Sequence, residues 1–264
     1  MVKDILKLVL IGITLFAAGF ILKSAGIIEN SANASDDIHL TFETKDKLIL
    51  HGWKTEAVAD SAGLTKPGLA LLLPMMSKTH LSYEPFREQL NEIGYTTIVF
   101  DMRGHGLSVS RGEQTLSYSE MLPEEFVKMP ADIESFFLDF KTNNPDTYNY
   151  NDVIVIGSSI GANTAGILLE KSWLSRSVLL SPGKDYRSLI PGTVMISETN
   201  PPTKPVYIAA AVDDTYSAQS SQWLFENYSG LKVFKKYPGK DHGTNILLNV
   251  DKADVELLEW LKKK

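Results

Sequence analysis

The chain has no cysteine among its 264 residues. That excludes disulfide bridges, thiolate metal sites and a lipid anchor on an N-terminal cysteine. It also lacks the positive charge that nucleic acids attract: 26 lysines and arginines stand against 32 aspartates and glutamates, a net charge of −6. An acidic balance of this kind argues against a nucleic-acid partner. No internal repeat, low-complexity tract or phosphate-cradling glycine loop is present. The five histidines, His39, His51, His80, His105 and His242, are scattered without ligand spacing, so neither a metal nor a cofactor is implied. What remains, 44% hydrophobic and 22% charged residues, is the composition of an ordinary globular protein. The length suits one large α/β domain with a substantial core.

One long apolar run is present, at the N-terminus. Lys3 and Lys7 flank Ile5-Leu6, Leu8–Leu22 is apolar apart from Thr14, and Lys23 closes it. A basic region followed by such a run reads as a secretory signal or a signal anchor. Ala32-Asn33-Ala34 before Ser35 resembles a cleavage site. Leu8–Leu22 alone is short for a membrane span, but residues 5–22 reach one if Lys7 snorkels. The expected organisation is therefore a signal peptide or membrane anchor plus linker over residues 1–34 and a single domain over 35–264. The protein is expected to be exported, either secreted or tethered, with cleavage and oligomeric state left open.

Beyond the linker, Ile38–Thr44 and Leu48–Lys54 read as two strands joined by a turn. Leu69–Leu73 is a continuous apolar run typical of a buried parallel strand. Tyr83–Ile93 has helical spacing and ends at Gly94, a C-cap, and Thr96–Phe100 is a strand ending at Asp101. Pro130 suits a first helical position, with Ile133, Phe136, Phe137 and Phe140 on the helix's apolar face. Further strands are expected at Ser177–Leu180, Val206–Val212 and Lys232–Tyr237, and helices at Ala218–Tyr228 and Ala253–Leu261. Thr115–Met129 reads as a surface loop or a small flap. Strands alternating with helices imply a mostly parallel sheet of about eight strands, covered on both faces and opened by an antiparallel hairpin. Ligands of such sheets sit beyond the carboxyl ends of the strands.

The most informative stretch is Asn151–Gly166. Val153–Ile156 runs into Gly157-Ser158-Ser159-Ile160-Gly161, and a segment of small residues follows. That order of residue types describes a buried strand, a sharp turn and a close-packed helix, with Ser159 at the apex. The helix behind it offers free N–H groups and a positive dipole end, a good seat for a nucleophile whose reaction develops an oxyanion. A serine hydroxyl needs a base. Asp213-Asp214 follows the strand Val206–Val212, and His242 follows the strand Lys232–Tyr237. Serine, carboxylate and histidine thus stand in that order at three strand ends. His242 would take the serine proton, and an aspartate would orient and stabilise the imidazole.

With these residues the chain resembles the α/β-hydrolase fold superfamily. Asp101-Met102-Arg103-Gly104-His105-Gly106-Leu107-Ser108 is similar to the D-x-R-G-H-G-x-S loop of many members, and Tyr237-Pro238-Gly239 through His242-Gly243 to the segment carrying their histidine. The spacing from Pro205 to Asp214 resembles the segment carrying the acid, which favours Asp214 over Asp213. The likeness runs from about Ile38 to Leu261. It implies that Ser159, Asp214 and His242 are catalytic, that His105 braces loops, and that no cofactor is needed. It also implies an oxyanion hole made by the backbone N–H groups of Met76 and Ile160. Here the sequence departs from its relatives, because Pro74-Met75-Met76-Ser77 stands where many carry His-Gly. Only Ser181–Lys204 separates two strands between which relatives insert a cap, so no large cap domain is expected. The implied activity is that of a serine hydrolase, a carboxylesterase on small or acyl esters. The alternatives are a peptidase or acyltransferase of the same fold, and a membrane-anchored, non-catalytic binding or sensor protein.

Overall fold

A computed structural model describes residues 37–58, 65–84 and 86–263. The N-terminal segment read as a signal or anchor, with its cleavage motif, lies outside the described residues. Among the described residues no helix is long and apolar enough to cross a membrane.

The chain alternates strand and helix as its periodicities dictate. The strands are β1 (Ile38–Glu43), β2 (Ile49–Thr55), β3 (Gly68–Leu73), β4 (Tyr95–Asp101), a small hairpin of β5 (Ser110–Arg111) and β6 (Gln114–Thr115), β7 (Val153–Ser158), β8 (Arg176–Leu180), β9 (Val206–Ala211) and β10 (Lys232–Tyr237). The helices are α1 (Phe86–Glu92), α2 (Pro123–Phe126), α3 (Met129–Asn143), α4 (Ile160–Ile167), α5 (Gly192–Met195), α6 (Thr215–Asn227), α7 (Asn245–Asn249) and α8 (Ala253–Lys262). Eight strands form one sheet in the order β1-β2-β4-β3-β7-β8-β9-β10. β2 pairs antiparallel with both β1 and β4, and every later pairing is parallel. This is an α/β-hydrolase sheet without a large cap: the segment between β8 and β9 contains only the four-residue α5.

Successive side chains of a strand face opposite sides, so each buried strand feeds two cores. Leu69, Leu71, Leu73, Val153 and Val155 pack with Ile133, Phe136, Phe137 and Phe140 of α3 and with Ile160, Ala162 and Ala165 of α4. Ala70, Leu72, Ile154 and Ile156 face the other way, against Phe86 and Leu90 of α1 and Leu257, Leu258 and Leu261 of α8. β3 and β7 are buried along their whole length. Their uninterrupted apolar runs are the consequence.

Three elements differ from the sequence expectations. The helix expected over Tyr83–Ile93 is divided into a 3-10 turn at His80–Tyr83 and α1 from Phe86. Glu84, which precedes Pro85 in sequence, is extended (ψ 137°), the conformation that a following proline favours. α6 begins at Thr215, directly after Asp214, three residues earlier than its apolar periodicity suggests. The Thr115–Met129 segment is packed down, with Met121 and Phe126 buried in the core.

Arg103 anchors that packing. Its guanidinium, 1% exposed, donates to Asp132 (Nε to Oδ2, 2.8 Å), to Asp46 (Nη1 to Oδ2, 2.8 Å) and to Glu125 (Nη1 to Oε2, 2.9 Å). The hydrogen bond from Arg103 holds the Asp46 carboxyl well below the usual carboxylate range. A charge buried with satisfied partners is tolerated, whereas removing one partner strands the others. Arg103→Met is expected to destabilise the protein by about 3–5 kcal/mol in denaturant unfolding, because Asp132 would remain buried with its cation gone. A loss under 1 kcal/mol would show that the network is not structural.

Candidate active site

β7 ends at Ser158, and Ser159 turns the chain into α4 with φ 53° and ψ −114°. A non-glycine residue in this region carries roughly 1–3 kcal/mol of strain and persists only where its surroundings enforce it. The enforcement comes from close backbone approaches. A Cβ at Gly157 would lie 2.0 Å from the Gly161 carbonyl oxygen, and one at Gly161 only 2.2 Å from that of Leu73. These contacts press the first turn of α4 onto the end of β3 and its following loop. The Ser159 N–H donates to Leu180 O (2.8 Å), which ties the apex to β8 as well.

The loop after β3 carries Pro74, Met75 and Met76. Lys78 N–H donates to Met75 O (3.1 Å) and Ser77 takes a positive φ of 64°, so the segment is a tight turn. Met75 is buried, and its sulfur packs where a Cβ of Gly243 would come within 2.9 Å. The turn is held from behind by the buried Asp101 carboxylate. Asp101 Oδ1 accepts the His80 N–H (2.9 Å), and Oδ2 accepts the Leu107 N–H (2.7 Å). The loop containing Arg103-Gly104-His105-Gly106 is thereby fastened to the segment that follows Met76. Ile160 opens α4, and the first N–H groups of a helix have no intrahelical acceptor. Ile160 thus follows Ser159 directly, and the loop that carries Met76 packs against the start of α4, where a Cβ at Gly161 would lie 2.8 Å from Pro74 O.

His242 and Asp214 meet across the ends of β9 and β10, with His242 Nδ1 2.6 Å from Asp214 Oδ2. Asp213 is exposed. The neighbouring carboxylates that sequence alone left open are therefore distinguished by geometry. The His242 loop abuts the serine turn, since a Cβ at Gly243 would sit 3.2 Å from Ser158 Cβ. The Gly243 N–H donates to Ser181 Oγ (2.9 Å), and Ser181 itself has a positive φ of 52° at the end of β8. Tyr83 provides a second brace. Its buried hydroxyl lies 3.1 Å from Leu73 O, 2.9 Å from Ile156 O and 3.0 Å from Ser158 Oγ, spanning β3 and β7 just below the turn.

His105 lies apart from this chemistry. Its Nδ1 is 2.9 Å from the Arg103 carbonyl and its ring stacks on Tyr118 at 4.6 Å. Burial pushes the His105 imidazole down, toward the neutral form. The other histidines are less scattered than their numbering suggests. His39 and His51 meet at 2.8 Å between ring nitrogens, and Trp53 stacks against His39 (5.0 Å) and His80 (3.4 Å). Antiparallel pairing of β1 with β2 places His39 opposite Trp53. Among the described residues no group of three or more His, Cys, Asp or Glu could hold a metal ion.

The family model of the serine aminopeptidases, S33, matches residues 68–199. The chain belongs to this family. It is accordingly a serine hydrolase of the α/β-hydrolase superfamily, and the matched region contains β3, the serine turn and β8. The match ends before Asp214 and His242. No curated protein sequence matches the chain. Among solved structures, an esterase from Pyrococcus furiosus superposes with a TM-score of 0.64 at 18% identity, covering 87% of this chain and 91% of the other. A carboxyl esterase from Bacillus coagulans gives 0.60 at 14% identity, covering 86% and 99%. The acylaminoacyl peptidase of Pyrococcus horikoshii gives 0.66 at 13% identity, covering 90% of this chain but 43% of that longer one. At such identities the likeness establishes the fold alone.

Sequence reasoning missed Tyr83 and Ser181, and also Tyr186 and Ser217 beside His242, the Tyr186 ring at 6.5 Å between centroids and Ser217 Oγ at 3.4 Å from Nδ1. Tyr83 carried only a helical-spacing signal, and the others sit in stretches whose polarity reads as loop. Ser181 alone had a usable cue, standing directly after a buried strand. Because the two aspartates differ so clearly in place, Asp214→Asn is expected to slow reaction of Ser159 with a fluorophosphonate by about 10³–10⁴-fold, the loss that follows when a triad histidine loses its orienting carboxylate. Asp213→Asn should leave that rate within twofold. Equal effects of the two changes in a rapid-mixing labelling assay would refute the assignment.

Proposed function

We propose that the protein is a carboxylic ester hydrolase in which Ser159, His242 and Asp214 form the catalytic triad. The observation that carries this reading is the 2.6 Å contact of His242 with Asp214, on a loop abutting the strained Ser159 turn. His242 Nδ1 donates its hydrogen to Asp214, leaving Nε2 free to accept the serine proton. Ser159 Oγ attacks the ester carbonyl, and the carbonyl oxygen takes up the negative charge. The backbone N–H groups of Met76 and Ile160 hold that charge, each donor being worth roughly 3 kcal/mol, or about a hundredfold in rate. His242 returns its proton to the departing alcohol, and water then repeats the sequence on the acyl enzyme. Only backbone atoms serve the oxyanion, so methionine in place of glycine after β3 is compatible with the role.

The family's description as serine aminopeptidases favours aminoacyl amides as a second reading. Both readings use the same nucleophile. Intact-mass measurement after fluorophosphonate treatment should show a single adduct on the wild type and none on Ser159→Ala or His242→Ala. A folded wild type that takes no label would instead support a binding protein on a hydrolase scaffold. With labelling established, turnover of p-nitrophenyl esters at least 100 times faster than that of matched aminoacyl anilides supports the esterase. The reverse order would assign the peptidase.

We further propose that the protein works outside the cytoplasm, exported or tethered by the apolar run Leu8–Leu22 behind Lys3 and Lys7. Expression of the full chain in a secreting bacterial host, followed by fractionation and N-terminal sequencing, should give either a mature form beginning at Ser35 or full-length chain in the membrane pellet. Full-length chain recovered wholly in the soluble cytosol would refute export.

A further inference from the structure

Tyr186 has no part in the mechanism above, yet it stands among the groups that do. It belongs to the loop following β8, and that loop is stitched into place. Gly183 N–H donates to Asn163 Oδ1 (2.9 Å), and Asn163 Nδ2 donates to Leu189 O (2.7 Å), so a buried side chain of α4 holds both ends. Lys184 N–H donates to Ser220 Oγ (3.0 Å), and Tyr216 both accepts from Asp185 N–H (3.0 Å) and donates to Asp185 O (2.9 Å), which fastens the loop to α6. Arg187 and Ser188 both hold positive φ, 53° and 68°, a backbone path such a framework must enforce. The Tyr186 ring lies over Gly183, where a Cβ would approach within 2.7 Å of it. Its edge faces His242 at 6.5 Å and 79°.

The hydroxyl is also placed. Tyr186 Oη lies 3.0 Å from Ser217 Oγ, and Ser217 Oγ lies 3.4 Å from His242 Nδ1. Ser217 is fully buried in the first turn of α6, which begins directly after Asp214. The His242 Nδ1 hydrogen goes mainly to Asp214, with Ser217 Oγ as a weaker second acceptor. Either oxygen of this pair can donate; where Ser217 directs its hydrogen at the Tyr186 oxygen, the phenolic hydrogen is left for the reacting centre. Burial pushes the Tyr186 phenol up, while the hydroxyls of Ser217 and Ser159 pull the other way, so at neutral pH it remains a protonated donor beside the nucleophile.

Which part of the substrate it meets follows from the side it occupies. The backbone donors proposed at Met76 and Ile160, which would hold the carbonyl oxygen, lie in the loop after β3 and at the start of α4. Tyr186 lies against His242, the group that hands its proton to the departing oxygen. We propose that Tyr186, aimed by Ser217, forms a leaving-group subsite whose phenolic hydrogen bonds the alcohol oxygen of a bound ester, suiting the enzyme to esters of aliphatic alcohols. As the C–O bond of the tetrahedral adduct breaks, its electron pair moves onto the alcohol oxygen. His242 Nε2 transfers its proton there, and the Tyr186 hydrogen bond stabilises the growing charge without giving up its proton. An alkoxide needs this help; a phenolate, already stable, does not.

This proposal rests on Ser159 as nucleophile, and its test separates the two. Esters of one acyl group with leaving groups from nitrophenol to ethanol would be compared on wild type and Tyr186→Phe, with kcat/KM plotted against leaving-group pKa. Tyr186→Phe is expected to lower kcat/KM about tenfold for alkyl esters, the effect of one hydrogen bond to a developing charge. It should leave nitrophenyl esters and fluorophosphonate labelling within twofold, so the plot steepens. A uniform loss across all leaving groups, or none, would overturn the subsite. A wild type that takes no fluorophosphonate would overturn the nucleophile and the subsite with it. Should Tyr186→Phe fail to fold, Ser217→Ala, which leaves the phenol in place but unaimed, is expected to steepen the plot in the same direction by a smaller amount. An unchanged slope there would count equally against the proposal.

Discussion

The backbone contact between Gly161 and Leu73 is the constraint on which the site depends. A side chain at Gly161 would need the space occupied by the Leu73 carbonyl, and one at Gly157 the space occupied by Gly161 itself. Because neither has a Cβ, the helix after Ser159 can press against the two central strands. That pressure turns Ser159 through a strained backbone and presents the helix N-terminus beside the β3 loop. If that contact opened, the serine turn would be free to relax.

Around this contact, buried polar groups hold loops that have no apolar reason to stay. Asp101 ties the segment after β3 to the loop containing His105, Tyr83 bridges the ends of β3 and β7, and Ser181 holds the backbone next to His242. Each uses a side chain to satisfy backbone groups that strand ends leave free. The Arg103 network does the same at larger scale, pinning α2 and the start of α3 beneath the site. A sheet edge thus becomes a rigid platform, which catalysis by positioning requires.

The absence of a large cap has a chemical consequence. With only a short segment between β8 and β9, the residues around His242 on this side come from that segment and from α6. Tyr186, Tyr216 and Ser217 occupy it. In the subsite proposed above, this small, stitched loop would select for leaving-group chemistry.

Local sequence determined much of this. Continuous apolar runs marked β3 and β7, because strands buried on both faces cannot alternate. The small residues around Ser159 marked the tight turn, because no others fit it. The order of serine, acid and histidine at strand ends followed from the alternation of elements. Other features came only with the tertiary structure. Asp213 and Asp214 are chemically identical neighbours, and the path of the chain into α6 alone decides which faces His242. Tyr186 lies in a segment rich in proline, glycine and charge; its place beside His242 depends on Asn163, Ser217 and Ser220, residues from two other elements. His39, His51 and His80 look unrelated until the pairing of β1 with β2 and the 3-10 turn after β3 gather them around Trp53. Periodicity reports how a segment meets water and core, but it carries no information on which distant segment will supply the partner.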